Sequence, residues 1–308
     1  MECSVLKTID LLCGAGGWAC AAGGLPIRFT VIVDWAADCL ETWRVNHQSS
    51  HPDCERLQWD LSNRDTVENL KELVPSVDLV LGAIPCEPIS VLTSQNGRRS
   101  PEVMDRWRAL LDNVLHLVNH WRPKFWAIED VIQVERELPL PLFYGREIPH
   151  RRIDASDFGP QRRIRTFLGN FPEPLAPRDH PRTLGECLRT GPYLGIPQQE
   201  KFQRICSGSN PAFGSFVRIH SPDKPAATVT IMSRGSRQVR SWMIEHGTAL
   251  RRLSWQEAAI IQGFPEDFVF ACGMNRAEKM ISQAIPIQVG RAILEGICRG
   301  RTHGRYQD

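Results

Sequence analysis

No stretch of about 18 apolar residues occurs in this chain of 308 residues, so nothing in it is expected to span a membrane as a helix. Its first residues lack a basic segment leading into a long apolar one. No signal peptide is expected there, and the chain is expected to work in the cytoplasm. The ten cysteines include no Cys-x-x-Cys pair and scatter along the whole length. That pattern argues against a zinc knuckle and against a disulfide framework; no metal is expected, and most thiols should be reduced and buried. Internal repeats and low-complexity tracts are also missing.

Charge of either sign is scarce in net terms, +2 overall, but it is unevenly placed. Residues 173–250 hold ten Lys and Arg against six Asp and Glu. A basic block beside a slightly acidic remainder fits either an electrostatic footprint on a polyanion or an ordinary solvated face. The texture changes at the same place. Up to about residue 170, short apolar strand candidates at 5–12, 29–34, 77–82, 125–129 and 164–170 alternate with helical stretches, among them 36–46 and 103–120. Each candidate reads as a buried parallel strand, and the alternation implies an α/β sheet with helices on both faces. From Pro172 onward Pro, Gly and Ser thicken, and 224–231 is the clearest strand. Ser254 and Glu257 then form a capping box before a helix, and a last helix is expected from about Pro286 to Cys298. Residues 1–172 with 251–308 are expected to form one domain, and 173–250 a small irregular one.

In such sheets ligands bind beyond the carboxyl ends of the strands. The first strand ends in Asp10-Leu11-Leu12-Cys13-Gly14-Ala15-Gly16-Gly17-Trp18. The glycines suit close approach to a ligand, or simply a tight strand–helix turn. Asp34 at the tip of the second strand can accept ribose hydroxyls, and Trp35 beside it can stack on adenine. Asp60 can accept from an adenine amino group. Three such features at successive strand ends favour a nucleoside-type cofactor.

Further along, Pro85-Cys86 presents a thiol at a strand end, although a lone cysteine is often structural. The next strand ends in Glu129-Asp130. In Gln161-Arg162-Arg163-Ile164-Arg165, Arg163 and Arg165 fall on one face of a strand and can hold a carboxylate, a phosphate or a base carbonyl, or form a surface ion pair.

Taken together these segments resemble the DNA cytosine-5 methyltransferases. Asp10–Trp18 looks like their first motif, and Asp34-Trp35, with Asn46-His47 closing the next helix, like the cofactor contacts. Pro85-Cys86 looks like the nucleophile loop, Glu129-Asp130-Val131 like the Glu-Asn-Val step, and Gln161–Arg165 like the Gln-Arg-Arg-x-Arg motif. Arg252–Glu257 with Gln262–Pro265, and then Ala284–Ile293, resemble the closing motifs. The resemblance implies a Rossmann-like, S-adenosylmethionine-dependent methyltransferase sheet, with the target-recognition domain at 173–250. It implies a monomer acting on double-stranded DNA, as in restriction-modification. Cys86, Glu129, Arg163 and Arg165 become the expected catalytic set. Asp10, Leu12, Gly14, Gly16, Gly17, Trp18, Asp34, Trp35, Asp60, Pro85, Ser282 and Gln283 become the cofactor set. Arg234, Arg237 and Arg240 are the expected DNA contacts.

The implied chemistry is addition of the Cys86 thiolate to cytosine C6. Glu129 acts at N3, Arg165 holds O2 and Arg163 helps to position the site. The target base has to be flipped out of the duplex. Some residues depart from the resembled pattern: Ile84 and Glu87 around Pro85-Cys86, Asp130 in place of Asn, and Ser282-Gln283 in place of Gly-Asn. They leave room for a carboxylated S-adenosylmethionine, giving carboxymethylcytosine, or for a modified cytosine. An RNA target would keep the same chemistry, whereas an inactive DNA-binding relative would keep the fold alone.

Overall fold

Single strands decide the architecture, because their side chains serve two cores at once. On β1 (Leu6–Leu11), Leu6 joins one hydrophobic cluster while Ile9 and Leu11 join another. On β4 (Leu79–Ala83), Leu79 and Leu81 share the cluster of Leu6, and Val80 sits in the other. Successive side chains of a strand point to opposite faces, so strands apolar at every position must be covered on both sides. The computed structural model describes residues 4–89, 100–137, 147–177, 183–189, 218–230, 242–246 and 249–302.

The main sheet has seven strands in the order β3-β2-β1-β4-β5-β7-β6. β2 is Ile27–Asp34, β3 Glu55–Gln58, β5 Phe125–Asp130, β6 His150–Asp154 and β7 Ile164–Leu168. Helices α3 (Arg64–Leu73) and α4 (Pro101–Trp121) cover one face through Val67, Leu70, Trp107 and Leu111. The other face is covered by α1 (Gly17–Ala22), α2 (Ala37–His47), α5 (Trp255–Gln262), α6 (Met274–Gln283) and α7 (Ile287–Thr302). Trp18, Trp43, Ile261, Met280 and Ile293 are their inward residues. Local signals hold these helices in place. Ser100 caps α4 ahead of Pro101, and both halves of the Ser254–Glu257 capping box form. The chain thus returns to the first sheet after residue 253, and Asn46 fixes the return by exchanging hydrogen bonds with the backbone of Val269. Among the described residues no helix is long and apolar enough to cross a membrane.

The structure corrects the strand reading in several places. The last apolar strand expected in the first part, β7, is not parallel: it runs antiparallel to β5, and β6 runs antiparallel to β7. β6 itself was not expected, because an edge strand carrying Arg151 and Arg152 shows no apolar run. The expected strand at 224–231 does not form over its described residues, 224–230. Pro225 can donate no ladder bond. The segment instead lies against the entrance to β7, where Ala226 N donates to Pro160 O and Arg162 N donates to Ala226 O.

A second sheet of three strands, β8 (Arg218–His220), β9 (Trp242–His246) and β10 (Ala249–Arg252), follows the order β10-β9-β8 and straddles the expected boundary at residue 250. Leu184, Cys187, Ala226, Val229 and Ile244 share one hydrophobic cluster with the sheet.

Gly82 carries the contact between β1 and β4. A Cβ there would stand 2.6 Å from Leu11 O and 3.1 Å from Ile128 Cδ1. Gly82→Ala should lower the stability by about 1–3 kcal/mol, as overpacking does. Urea unfolding measures it, and an unchanged midpoint would show that the two strands part freely there.

Candidate active site

The parallel strands β1 and β4 are neighbours with their connections leading to opposite sides, which opens a crevice at their carboxyl ends. The turn after β1 lies at that crevice. Leu12 and Gly14 have φ of 63° and 52°, and Gly16 has 86°. For Leu12 this left-handed backbone is strained, and such strain persists only where the surroundings enforce it. Here Cys13 N donates to Val33 O, and Gly14 N donates to Asp34 Oδ2 at 2.9 Å. Asp34 Oδ1 accepts from Ala36 N. The Asp34 carboxylate expected to meet a ribose is therefore also the brace of the turn. Gly16 is pressed against Trp43 and His47, where a Cβ would meet atoms at 2.9 Å, whereas Gly14 has open space on its Cβ side.

Two residues of the expected cofactor set lie deep in the protein. Trp18 is buried, and its indole N–H donates to Gly82 O at 3.0 Å, so it ties α1 to the end of β4. Asp10 is fully buried, and neither carboxylate oxygen has a hydrogen-bond partner among the described residues. Burial, and then the charge of Asp34, raises its pKa well above the usual carboxylate range. Gly17 fits against Ile285.

At the tips of β2 and β3, Trp35 is 59% exposed and presents its ring to solvent. The Arg106 guanidinium lies 5.9 Å from the ring centroid, within cation–π range. Arg106 also pairs with Asp60 Oδ2 at 2.6 Å, while Asp60 Oδ1 accepts from Ser62. Burial pushes the Asp60 carboxyl up, but the Ser62 hydrogen bonds and Arg106 outweigh it and the net shift is downward. One arginine from α4 thus covers both residues read as adenine contacts.

Glu129 and Cys86 meet because β4 and β5 are parallel and in register. Ala83 stands opposite Glu129, and Ile84 N donates to Glu129 O at 2.9 Å. Pro85 and Cys86, both half-buried, follow at once. Arg165 Nε lies 3.1 Å from Glu129 Oε1, with both side chains nearly buried. The antiparallel setting of β7 makes this possible. A parallel β7 would have started at the far end of the sheet, roughly 16 Å away for a five-residue strand.

Burial raises the Glu129 pKa against the pull of Arg165 and Arg163. Burial also pushes the Cys86 thiol up to about 11; Arg165 opposes that, Asp130 and Glu129 add to it, and Arg163 opposes it. Asp130 is fully buried and raised well above its usual range by burial and the neighbouring Glu129 charge.

Arg163, equally buried, faces elsewhere. It donates to Val229 O at 3.2 Å, Ser282 O at 3.0 Å and Ala284 O at 3.2 Å. Burial and the Arg165 charge lower its pKa to about 9. Beside it, Gln161 donates to Gln262 and accepts from Val229 N, and Gln262 donates to Ala284 O and Ile285 O. This buried polar chain joins β7, segment 226–229 and the turn between α6 and α7.

Of the residues that depart from the resembled pattern, Glu87 and Gln283 touch. Gln283 Nε2 donates to Glu87 Oε1 at 3.2 Å, and Lys279 Nζ lies 3.0 Å from the same oxygen. Ser282 Oγ turns back to Lys279 O. Arg234, Arg237 and Arg240 lie outside the described residues. Reasoning from sequence missed Arg106 and Lys279, and it named Gln262 only as part of a motif. Each acts on a partner at least 46 positions away, a contact that no local pattern reveals.

The family model for C-5 cytosine-specific DNA methylases matches residues 6–137 and 195–299. The chain is 26% identical over 348 aligned positions to the type II methyltransferase M1.HphI of Haemophilus parahaemolyticus, covering 98% of this chain and 89% of that protein. It is 25% identical to the type II methyltransferase M.DsaV of Dactylococcopsis salina, over 96% and 86%. Among solved structures, the Entamoeba histolytica methyltransferase EhMeth superposes with a TM-score of 0.72 at 15% identity, over 97% and 99% of the two chains. The S. pombe Dnmt2 methyltransferase gives 0.67 at 15%, over 98% and 100%. These likenesses identify the S-adenosylmethionine-dependent, Rossmann-like methyltransferase fold.

The electrostatics of Cys86 are open to direct measurement. Its alkylation by iodoacetamide, followed by peptide mass spectrometry, should accelerate with pH up to a midpoint near 11. Arg165→Ala removes a charge that favours the thiolate, so the midpoint should move upward. A midpoint that stays put or falls would mean that Arg165 does not reach the thiol.

Proposed function

We propose that this chain, which belongs to the C-5 cytosine-specific DNA methylase family, methylates C5 of a cytosine through a covalent bond from Cys86 to C6. The reading rests on one observation: Cys86, Glu129 and Arg165 converge at the adjoining ends of β4, β5 and β7, with Glu129 and Arg165 3.1 Å apart. The family itself makes the chain a DNA cytosine-5 methyltransferase using S-adenosylmethionine. The residue roles are our reading, as are the double-stranded substrate, action as a monomer in the cytoplasm and recognition by residues 173–250.

The residues at the cofactor end suit S-adenosylmethionine. Gly14 leaves open space where a side chain would intrude, and Trp35 has a solvent-facing ring beside an acidic Asp60. Asp34, Trp35 and Asp60 would hold the nucleoside, and the turn from Asp10 through Leu12 to Gly17 the remainder, with Trp18 supporting from beneath. Pro85 and the Ser282-Gln283 end of α6 would flank the reacting end. When bound, S-adenosylmethionine supplies an electrophilic methyl group at C5.

The chain's own residues do the rest. The Cys86 thiol gives its proton to water and its sulfur bonds to C6 as the C5–C6 double bond opens, which makes C5 nucleophilic. Glu129, with its pKa raised by burial, keeps a proton for N3 and neutralises charge developing on the ring. Arg165, anchored by Glu129, donates to the base O2. Arg163 positions β7 from behind. After transfer water takes the C5 proton, the electrons left behind re-form the C5–C6 double bond and expel the Cys86 sulfur, and N3 returns its proton to Glu129. A base inside a duplex cannot reach this cluster, so it must swing out.

The plain methyl donor is the favoured one. The charged group that suggested a carboxylated donor, Glu87, faces Lys279 and Gln283, so both departures have a partner within the chain. Nucleoside mass spectrometry of duplex DNA treated with each donor should yield 5-methylcytosine from S-adenosylmethionine; carboxymethylcytosine as the faster product would reverse the assignment. Run beside it, tRNA should be a far poorer substrate than DNA.

Long duplex DNA copied with 5-fluorodeoxycytidine in place of deoxycytidine should trap the native chain covalently when S-adenosylmethionine is present. Cys86→Ser should abolish the adduct, and Glu129→Gln should slow methylation by about 10²–10⁴-fold, the usual share of a proton-transfer group. An adduct that survives Cys86→Ser would remove the thiol from the mechanism, and a native chain that forms none would point to an inactive DNA-binding relative.

A further inference from the structure

Helix α6 touches both ends of the site, and one residue beside the nucleophile is held by it. Glu87 follows Cys86 directly, and its Oε1 receives both Lys279 Nζ, at 3.0 Å, and Gln283 Nε2, at 3.2 Å. Lys279 and Gln283 are four apart and therefore share one face of α6. At the carboxyl end of the same helix, the Ser282 and Ala284 carbonyls accept from Arg163. Such terminal carbonyls have no partner within their helix and need one. Nearer its start, Arg276 grips both oxygens of Asp38, at 2.6 and 2.9 Å. Asp38 lies four residues beyond Asp34. The helix is thereby fixed to α2 at the nucleoside end and to β7 at the catalytic end, and Glu87 ties the loop of Cys86 to that strut.

Stability does not explain the contact. The Glu87 and Lys279 side chains are 51% and 34% exposed, and ion pairs in that setting add little to folding. Position does explain it, because Cys86 has no regular structure of its own. It lies three residues beyond the end of β4; the register of β4 with β5 carries the chain to Glu129 as far as Ile84, and the turn beyond it, which holds the sulfur, has no ladder of its own.

We propose that Glu87 is a positioning residue for the nucleophile: held by Lys279 and Gln283, it sets the Cys86 loop in register with Arg165 of β7 and Arg163 just before it. The inference rests on the reading of Cys86 as the nucleophile. It assigns an active role to positions 87, 279 and 283, so the identities of the three are expected to be interdependent.

A charge exchange tests it. Glu87→Lys and Lys279→Glu are made singly and together, with Glu87→Gln as the conservative variant. The rate of covalent adduct formation on 5-fluorocytosine duplex DNA is the main readout. Melting temperature and calorimetric affinity for S-adenosylmethionine are followed in parallel. Each single reversal should slow adduct formation by about tenfold, below the hundredfold that a 1 Å misplacement can bring. Melting temperature and cofactor affinity should stay near native. The exchanged pair should recover to within about threefold of native, as coupled neighbours do, and Glu87→Gln, which can still bond Gln283, should fall between.

Single variants that react at the native rate, or an exchanged pair as slow as the slower single, would overturn the proposal and leave Cys86 as nucleophile. So would losses that track melting temperature. A native chain that forms no adduct at all would overturn both readings.

Discussion

The reversal of one strand is the constraint on which the cluster of Cys86, Glu129 and Arg165 depends. β7 enters the sheet antiparallel to β5, so its first residues lie beside the last residues of β5. Arg165 can then reach Glu129 across a strand boundary, and Arg163, two positions earlier, turns to the carbonyls that end α6. The charged residues belong at this end of the sheet because the middle of β5 is apolar and covered on both faces. Once β7 is reversed, the segment around Ala226 gains the hydrogen bonds that lay it along the entrance to the strand. The same turn of chain thus serves the site and the part of the molecule that follows it.

Burial is the second organising cause, and it acts on four acids at once. Asp10, Cys86, Glu129 and Asp130 all have raised pKa values with burial as the leading cause. At Cys86 and Glu129 two arginines oppose it, and they do so unequally, since Arg163 is lowered itself by its surroundings. For Asp130 the outcome softens a departure from the resembled pattern. A protonated carboxyl offers one carbonyl oxygen and one donor, which is close to what an asparagine amide offers. Its Oδ1 already accepts from Val131 N as an amide oxygen would.

The sequence made the strand ends legible because strands buried on both faces are continuous apolar runs, and the chemical residues stand where those runs stop. Asp34-Trp35, Cys86 and Glu129 could be placed in that way. The capping box at Ser254 and Glu257 was equally plain, being local chemistry with a fixed spacing. Direction is not written in an apolar run, so β7 read as parallel although it is not. β6 was hidden because its outer residues are arginines, and 224–230 looked like a strand because alternation of Ala, Thr and Val cannot say whether a ladder partner exists. Contacts between distant positions were the least visible. Nothing near Arg106 points to Trp35, and nothing near Lys279 points to Glu87. Trp18 entered the cofactor set through the resemblance alone, and no sequence pattern showed its bond to Gly82 O within the core.

The high resting pKa of Cys86 has a consequence beyond the transfer step. Oxidants such as peroxides attack thiolates, and a thiol held near 11 is almost wholly protonated in a neutral cell. An enzyme that works on DNA must wait through long intervals between targets, and during them the Cys86 thiol is chemically quiet. The residues that make the sulfur slow to ionise at rest are therefore also those that keep it intact until a base arrives.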